Sequence, residues 1–372
     1  MNFQHTETRQ MLADSLRRFL AERYTADIRR QAVNAPGHSR TTWDQLVDLG
    51  VVNALFDEAD GGFGGEGFDI MVVFEALGAG LVAEPMLSAL LAGRALALGG
   101  HPFRDSVVAG ETIVAFAHQE AGARYNANHV ETRARKTDGG WILNGAKAVV
   151  ADAEAASHLL ISARTQGEIM DRDGISLFAI PVTAAGVNLR AYPLIDGGRA
   201  AEISLQDVRV EAVALVGAEN HGFPIIESVI GLGVLALCAE GLGIMDALKT
   251  ATLDYLRTRI QFGTPIGANQ ALQHRMANLL IDIEQARSSV INAAAAVGGN
   301  GTDRERALAA AKYTVGVTGT RVAEEAIQMH GGIGMTQDLA AAQSAKRLMM
   351  IDHQLGDSDH HLERYVSLGR AA

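Results

Sequence analysis

Two changes in the spacing of apolar residues, near residue 113 and again near residue 215, divide this chain into three segments. In Glu7–Ala21 the residues Met11, Leu12, Leu16, Phe19 and Leu20 recur at intervals of three and four, the pattern of a helix with one buried face. Asp69–Leu81 and Met86–Leu98 read the same way, and Pro85 after Glu84 separates them. From about 113 the texture becomes that of short strands. Thr112–Phe116, Trp141–Leu143, His158–Ile161, Ile175–Ile180 and Glu202–Leu205 alternate with the turn signals Asp138-Gly-Gly140, Asn144-Gly145 and Asp196-Gly-Gly198. From about 222 the helical period returns over Phe223–Arg259, Ala271–Val297 and Asp303–His330, interrupted by Gly263-Thr-Pro265 and by the Gly298-Gly-Asn-Gly301 linker. The predicted fold is therefore an α+β multidomain chain. Residues 1–112 form an N-terminal helical domain, 113–214 a central antiparallel β-domain, and 215–372 a C-terminal four-helix bundle. The bundle helices are rich in alanine and poor in charge, which predicts burial against other subunits and hence an oligomer.

Composition narrows the function. The 372 residues are 48% hydrophobic and 20% charged, a globular balance with enough apolar residues for a large core. A net charge of −11 argues against nucleic-acid binding, which needs a basic face to displace counterions. No uninterrupted apolar run reaches the ~18 residues of a membrane span, and the polar start lacks the order of a secretion signal. Cys238 is the single cysteine, so an intrachain disulfide or a thiolate zinc cluster is excluded. A cytoplasmic location is expected.

Two local motifs carry little. Gly62-Phe-Gly64-Gly-Glu-Gly67 matches GxGxxG, with Glu84 near the place of a ribose-binding acid. That fingerprint needs a preceding strand and a βαβ unit, and here the neighbours are helical, so the glycines are read as a flexible loop between helices. Asp357-Ser-Asp359-His360-His361 has metal-ligand residue types. Adjacent histidines on a helix point about 100° apart, so these are read as polar residues at a helix start, and no metal is expected.

A third group is more specific. Tyr255-Leu-Arg-Thr-Arg259-Ile-Gln-Phe262-Gly263-Thr-Pro265-Ile-Gly267 leads through Asn269-Gln270 and His274 into the next helix. Ala326-Ile-Gln328-Met-His330-Gly331-Gly332-Ile-Gly334 follows about sixty residues on, and Trp141-Ile-Leu-Asn-Gly145-Ala-Lys147 stands in the strand segment. In this order and spacing they resemble the acyl-CoA dehydrogenase family over essentially the whole chain. At finer grain, Leu237-Cys-Ala-Glu240, Asp254-Tyr-Leu and Gly356-Asp-Ser-Asp-His-His361 resemble small subunits of the pimeloyl-CoA dehydrogenase type. The resemblance implies FAD, an acyl-CoA thioester dehydrogenated between its α and β carbons, and a flavoprotein electron acceptor. It also implies that Arg259, Gln261, Phe262, Gln270, Gln328, Gly331 and Gly332 reach the FAD of a neighbouring subunit. Chemistry agrees: an arginine can clamp a pyrophosphate, glutamines suit an adenine or ribitol edge, and paired glycines let backbone approach phosphate. Without that context, the same residues read as a helix-terminating arginine and an inter-helix glycine turn.

The family pattern fails at its centre. The reaction needs a carboxylate to remove the α-proton and a flavin to accept the β-hydride. The two positions where the family places its base hold Leu355 and Gly233, leaving Glu240 as a displaced candidate on nearly the same helix face as Gly233. The alternative for Glu240 is a buried helix-to-helix hydrogen-bonding residue. The elements that contact a subunit's own flavin also depart: Val149-Val150-Ala151 replaces aromatic-Ile-Thr, Gln119-Glu120-Ala121 replaces Thr-Glu-Pro, and Tyr125 stands near the usual serine. This asymmetric loss implies the small, base-lacking subunit of a heteromeric enzyme, paired with a homologous large subunit. The alternatives are a self-sufficient homo-oligomer with a displaced base, a flavin oxidase or monooxygenase on the same fold, and a structural chain.

Overall fold

The computed structural model describes residues 5–35, 37–299, 301–336 and 339–370; Asn300 of the predicted glycine linker lies outside them. The first helices are α1 (Glu7–Arg23), α2 (Ala26–Asn34), α3 (Arg40–Asp48), α4 (Gly67–Ala79), α5 (Met86–Leu98) and α6 (Arg104–Val108). Strands β1 (Val114–Ala117), β2 (Arg133–Thr137), β3 (Gly140–Ala151), β4 (His158–Arg164), β5 (Ile175–Pro181), β6 (Val187–Pro193), β7 (Arg199–Glu211) and β8 (Leu215–Val216) follow. Then come α7 (Gly222–Thr258), the hairpin β9 (Ile260–Gln261) and β10 (Thr264–Pro265), α8 (Gln270–Ala296), α9 (Gly301–His330), α10 (Ala340–His353) and α11 (Ser358–Arg370). Strand β1 begins one residue after 113, whereas α7 begins seven residues after 215, at the place where the helical period returns in the sequence.

By packing, these elements gather into two compact units. One comprises Met1–Arg29, Glu66–Val82 and Val234–Ala372; the other comprises Arg30–Gly65 and Ala83–Gly233. In the first, α1 packs on α4 and α4 on α8, while α8, α10 and α11 all pack on α9. Among the described residues from Gly222 onward, the three long helices α7, α8 and α9 are followed by the shorter α10 and α11, which agrees with the predicted helical bundle. Local signals start them: Thr6 caps α1 by accepting from Arg9 N (3.3 Å), and Glu66 and Asp69 form a capping box at α4. Helix α7 also corrects an expectation. It is long and apolar enough by composition to cross a membrane, but 72% of its most apolar 18-residue window is buried inside the protein. That is the state of a core helix.

The second unit holds an eight-stranded sheet in the order β6-β7-β3-β2-β4-β5-β8, with β1 on β4. The prediction of an antiparallel domain holds for five pairings; β1–β4 and β2–β4 are parallel. The connection between β1 and β4 carries the β2–β3 hairpin and is long enough for a parallel return. The Gly62–Gly67 segment is a loop, as read, yet not a slack one. Gly62 N, Phe63 N, Gly64 N and Gly65 N donate to Asp57 O, Asn53 O, Phe56 O and Ala54 O. A Cβ at Gly62 would lie 2.1 Å from Phe56 O, so close packing, not phosphate binding, requires this glycine.

Candidate functional site

The residues expected to reach a neighbouring flavin all lie on the first unit, and all are exposed. Helix α7 stops at Thr258, Arg259 N donates to Tyr255 O (2.9 Å), and the chain reverses through the β9–β10 hairpin. Its two-residue turn, Phe262 (φ +53°) and Gly263 (φ +83°), has both central residues left-handed, the geometry that suits the twist of a tight hairpin. Phe262 stands fully exposed at the tip. Ile266 N closes the loop on Arg259 O (2.9 Å), and Gln270 opens α8. The Tyr255 ring stacks on buried His330 (4.6 Å between centroids), whose Nδ1 lies 2.8 Å from Ala326 O. This stack sets the hairpin beside the end of α9, where Gln328 is exposed and Gly331 (φ +68°) leads into Gly332. A Cβ on either glycine would meet nothing within 4 Å, so this backbone is open. Arg259 forms no ion pair among the described residues. A free guanidinium, amide side chains and open backbone suit a phosphorylated ligand.

The two positions expected to hold the base carry a leucine and a glycine, and both are structured. Leu355 (φ +55°) and Gly356 (φ +104°) form a left-handed turn between α10 and α11. Buried Lys312 grips it, donating to Gly356 O (2.5 Å) and Asp352 O (2.9 Å). His361 Nε2 lies 3.0 Å from Leu355 O, while its buried Nδ1 has no hydrogen-bond partner. Burial pushes the His361 pKa down to about 3. Asp357 caps the next helix by accepting from His360 N (2.9 Å), which places the Asp357–His361 group at a helix start. Gly233 is buried within α7. Glu240, also buried, is held in a fork by Arg347: Nε to Oε1 at 2.6 Å and Nη2 to Oε2 at 2.7 Å. Acting as a base would first require breaking that fork. Arg347 Nη1 also donates to Gln354 (2.9 Å), next to Leu355.

In the second unit, the segment expected from the resemblance to correspond to the family's own-flavin contacts is a bulge. The β3–β7 register shifts between Lys147 and Val150, and Val149 takes φ +52°, an outlier for a β-branched residue. Val149 is exposed, Val150 is buried, and Ala148 N donates to Gln119 O (2.8 Å). Behind it lies a network that sequence reasoning missed. Lys147 Nζ, fully buried, donates to Glu120 Oε1 (2.6 Å), Ser162 Oγ (3.0 Å) and His118 O (3.2 Å), and His118 Nδ1 lies 2.9 Å from Ser162 Oγ. Burial lowers Lys147 to about 8, and burial with the adjacent ammonium lowers His118 to about 3. Burial opposes ionisation of Glu120, but the charge and hydrogen bond of Lys147, with hydrogen bonds from Thr132 and Glu131, together outweigh it and hold the carboxyl below its ordinary range. The sequence signal was a lysine within an apolar strand. Its partners on β4 and in the loop after β1 are set by sheet pairing and carry no local mark.

Comparison with known proteins accords with this geometry. Profiles of the acyl-CoA dehydrogenase N-terminal, middle and C-terminal domains match residues 6–126, 115–208 and 220–364. The probable acyl-CoA dehydrogenase YngJ of Bacillus subtilis is 26% identical, with 98% of each chain covered. Among solved structures, the ChsE4-ChsE5 complex from Mycobacterium tuberculosis matches at 26% identity over 100% of both chains, with a TM-score of 0.89. A variant of the Tcur3481-Tcur3483 steroid ACAD matches at 26% over 98% of this chain and 99% of that one, with a TM-score of 0.87. The chain belongs to the acyl-CoA dehydrogenase family.

Proposed function

We propose that this chain is the base-lacking subunit of a heteromeric, FAD-dependent acyl-CoA dehydrogenase, similar to small subunits of the pimeloyl-CoA dehydrogenase type. The observation that carries the reading is an asymmetry. Arg259, Gln261, Phe262, Gln270, Gln328, Gly331 and Gly332 stand exposed as one surface set, whereas a leucine occupies the turn where the family keeps its carboxylate. The donor set on the first unit fits a dinucleotide. The bulge at Val149–Ala151 offers neither an aromatic ring nor a hydroxyl, so it does not fit the flavin ring in the family manner.

FAD, when bound, supplies hydride acceptance from the β-carbon. Arg259 would offset pyrophosphate charge, Gln270 and Gln328 would pair polar edges, and the Gly331–Gly332 backbone would approach the phosphates. The α-proton would go to a carboxylate of the homologous large subunit, since Leu355 cannot accept it. Two further observations support a two-chain enzyme. The names of two similar structures each join a pair of proteins, and α8 and α9 leave Leu280, Ile281, Tyr313 and Val317 exposed. The acyl-CoA thioester and the flavoprotein electron acceptor are the corresponding substrate and redox partner.

Native mass spectrometry and flavin quantification after co-purification from the source organism test the proposal. The expected result is a complex of two homologous chains with fewer flavins than chains, and a colourless chain alone. Rapid anaerobic bleaching of flavin by acyl-CoA with the chain alone would overturn it, and Glu240→Gln would then be the first variant to make.

A further inference from the structure

The loop between β1 and β2 carries residues that the dehydrogenase reading does not use. It descends in successive turns, with Ala123 N on Glu120 O, Asn126 N on Ala123 O and His129 N on Asn126 O (2.9–3.1 Å). These turns bring Glu120, His129 and Glu131 together, with one ligand atom from each lying within 4.8 Å of the other two. His129 Nε2 and Glu131 Oε1 are 2.9 Å apart. A tetrahedral zinc ion with bonds of about 2.1 Å needs ligand atoms about 3.4 Å apart, a spacing inside this range.

Orientation favours coordination. Glu120 Oε2 accepts from Glu131 N (2.6 Å), and Oε1 accepts from Lys147 Nζ (2.6 Å) and Thr132 N (3.0 Å). Oε2 therefore keeps a lone pair while the rest of the carboxylate is locked in place, the arrangement by which outer hydrogen bonds aim a metal ligand. The side chains of Glu120, His129 and Glu131 are 5%, 15% and 58% exposed, which gives a buried end and an entry path. Gly122 faces the group directly. A Cβ there would lie 3.1 Å from Glu131 Oε1 and 3.3 Å from His129 Nε2, so the missing side chain leaves the space open.

We propose that Glu120, His129 and Glu131 form a divalent-cation site, with zinc the favoured ion and water in the remaining position. Imidazole with carboxylates is a donor set that suits zinc. On binding, Nε2 gives its lone pair to the metal, and any proton it carried passes to solvent. The Lys147 ammonium on the other oxygen of Glu120 weakens attraction for the cation. The ion cross-links both ends of the loop and stabilises the second unit.

The test uses the full chain, in its complex where a partner is bound, dialysed against buffered zinc chloride and analysed for bound metal. One zinc per chain is expected, with a rise in melting temperature. His129→Ala and Gly122→Val should each weaken binding at least about tenfold and abolish that rise, with unchanged far-UV circular dichroism. Glu131→Gln, at an exposed position, gives the same reading should either variant misfold. Absence of stoichiometric uptake overturns the proposal, as does uptake that His129→Ala leaves intact or that His360→Ala removes.

Discussion

At Leu355 the backbone is left-handed although leucine disfavours that region by about 1–2 kcal/mol, and Gly356 follows at φ +104°. The turn persists because Lys312 and His361 hold its carbonyls. Gly356→Ala would place a methyl 2.5 Å from His361 Nε2 in a conformation that alanine avoids, and should destabilise the fold by about 1–3 kcal/mol in urea titration. A pH effect belongs to the same residues. Burial holds His361 and His118 neutral down to about pH 3, whereas the unfolded chain protonates them near 6.5. The unfolded state therefore binds more protons between those values, and stability falls as pH drops from about 6.5 towards 3. His361→Gln, which keeps a donor for Leu355 O, should flatten that loss when urea midpoints are compared at pH 7 and pH 4.5. Leu355 and Arg259 could be located from motif order alone. The fork between Glu240 and Arg347 could not, since the partners are 107 residues apart.

Helices α4 and α7 touch backbone to backbone, a contact no hydrophobic period records. A Cβ at Gly78 would lie 2.1 Å from Glu240 O, and one at Gly243 would lie 1.9 Å from Glu75 O. Neither oxygen can move without disturbing its own helix. Gly243→Ala should cost more than about 2 kcal/mol by chemical denaturation and Gly78→Ala a similar amount, while an exposed glycine such as Gly332→Ala should leave stability nearly unchanged. Long helices were legible because their period persists for several turns: the third bundle helix ends at His330, as predicted, and Met86–Leu98 matches at both ends. Strands were legible where they are buried. Arg133–Thr137 was missed because four of its five residues are polar or charged and its burial is slight, and Val187–Pro193 because none of its residues is fully buried. The parallel pairings of β4 depend on a long connection, and nothing in the strand itself marks them.

For the whole molecule, sequence zones and spatial units part company. The N-terminal helical zone contributes α1 and α4 to the unit that contains most of the bundle, and α3, α5 and α6 to the unit that contains the sheet. Amphipathicity says that a helix has a buried face without naming what covers it, so this division lay beyond a single sequence. Under the proposed function the exposed set at Arg259 would act only in an assembly, so its prediction belongs to this scale. Arg259→Ala, introduced into the purified complex, should weaken flavin retention by about 1.5–3 kcal/mol, roughly ten- to a hundredfold, read by ultrafiltration and absorbance at 450 nm. Unchanged retention would remove the arginine from the flavin site.

The tip of the β9–β10 hairpin bears on the life of the chain in the cell. A phenylalanine held fully in water by a two-residue turn, next to exposed Ile260, has the character of a surface that chaperones and proteases inspect. If the chain pairs as proposed, an unassembled copy would display its orphan status and pairing would conceal it. Supply of the two chains need not be matched by synthesis if surplus copies are removed by turnover. In a pulse-chase experiment the chain expressed alone should decay several-fold faster than with its partner, and Phe262→Ser should lengthen the orphan's half-life.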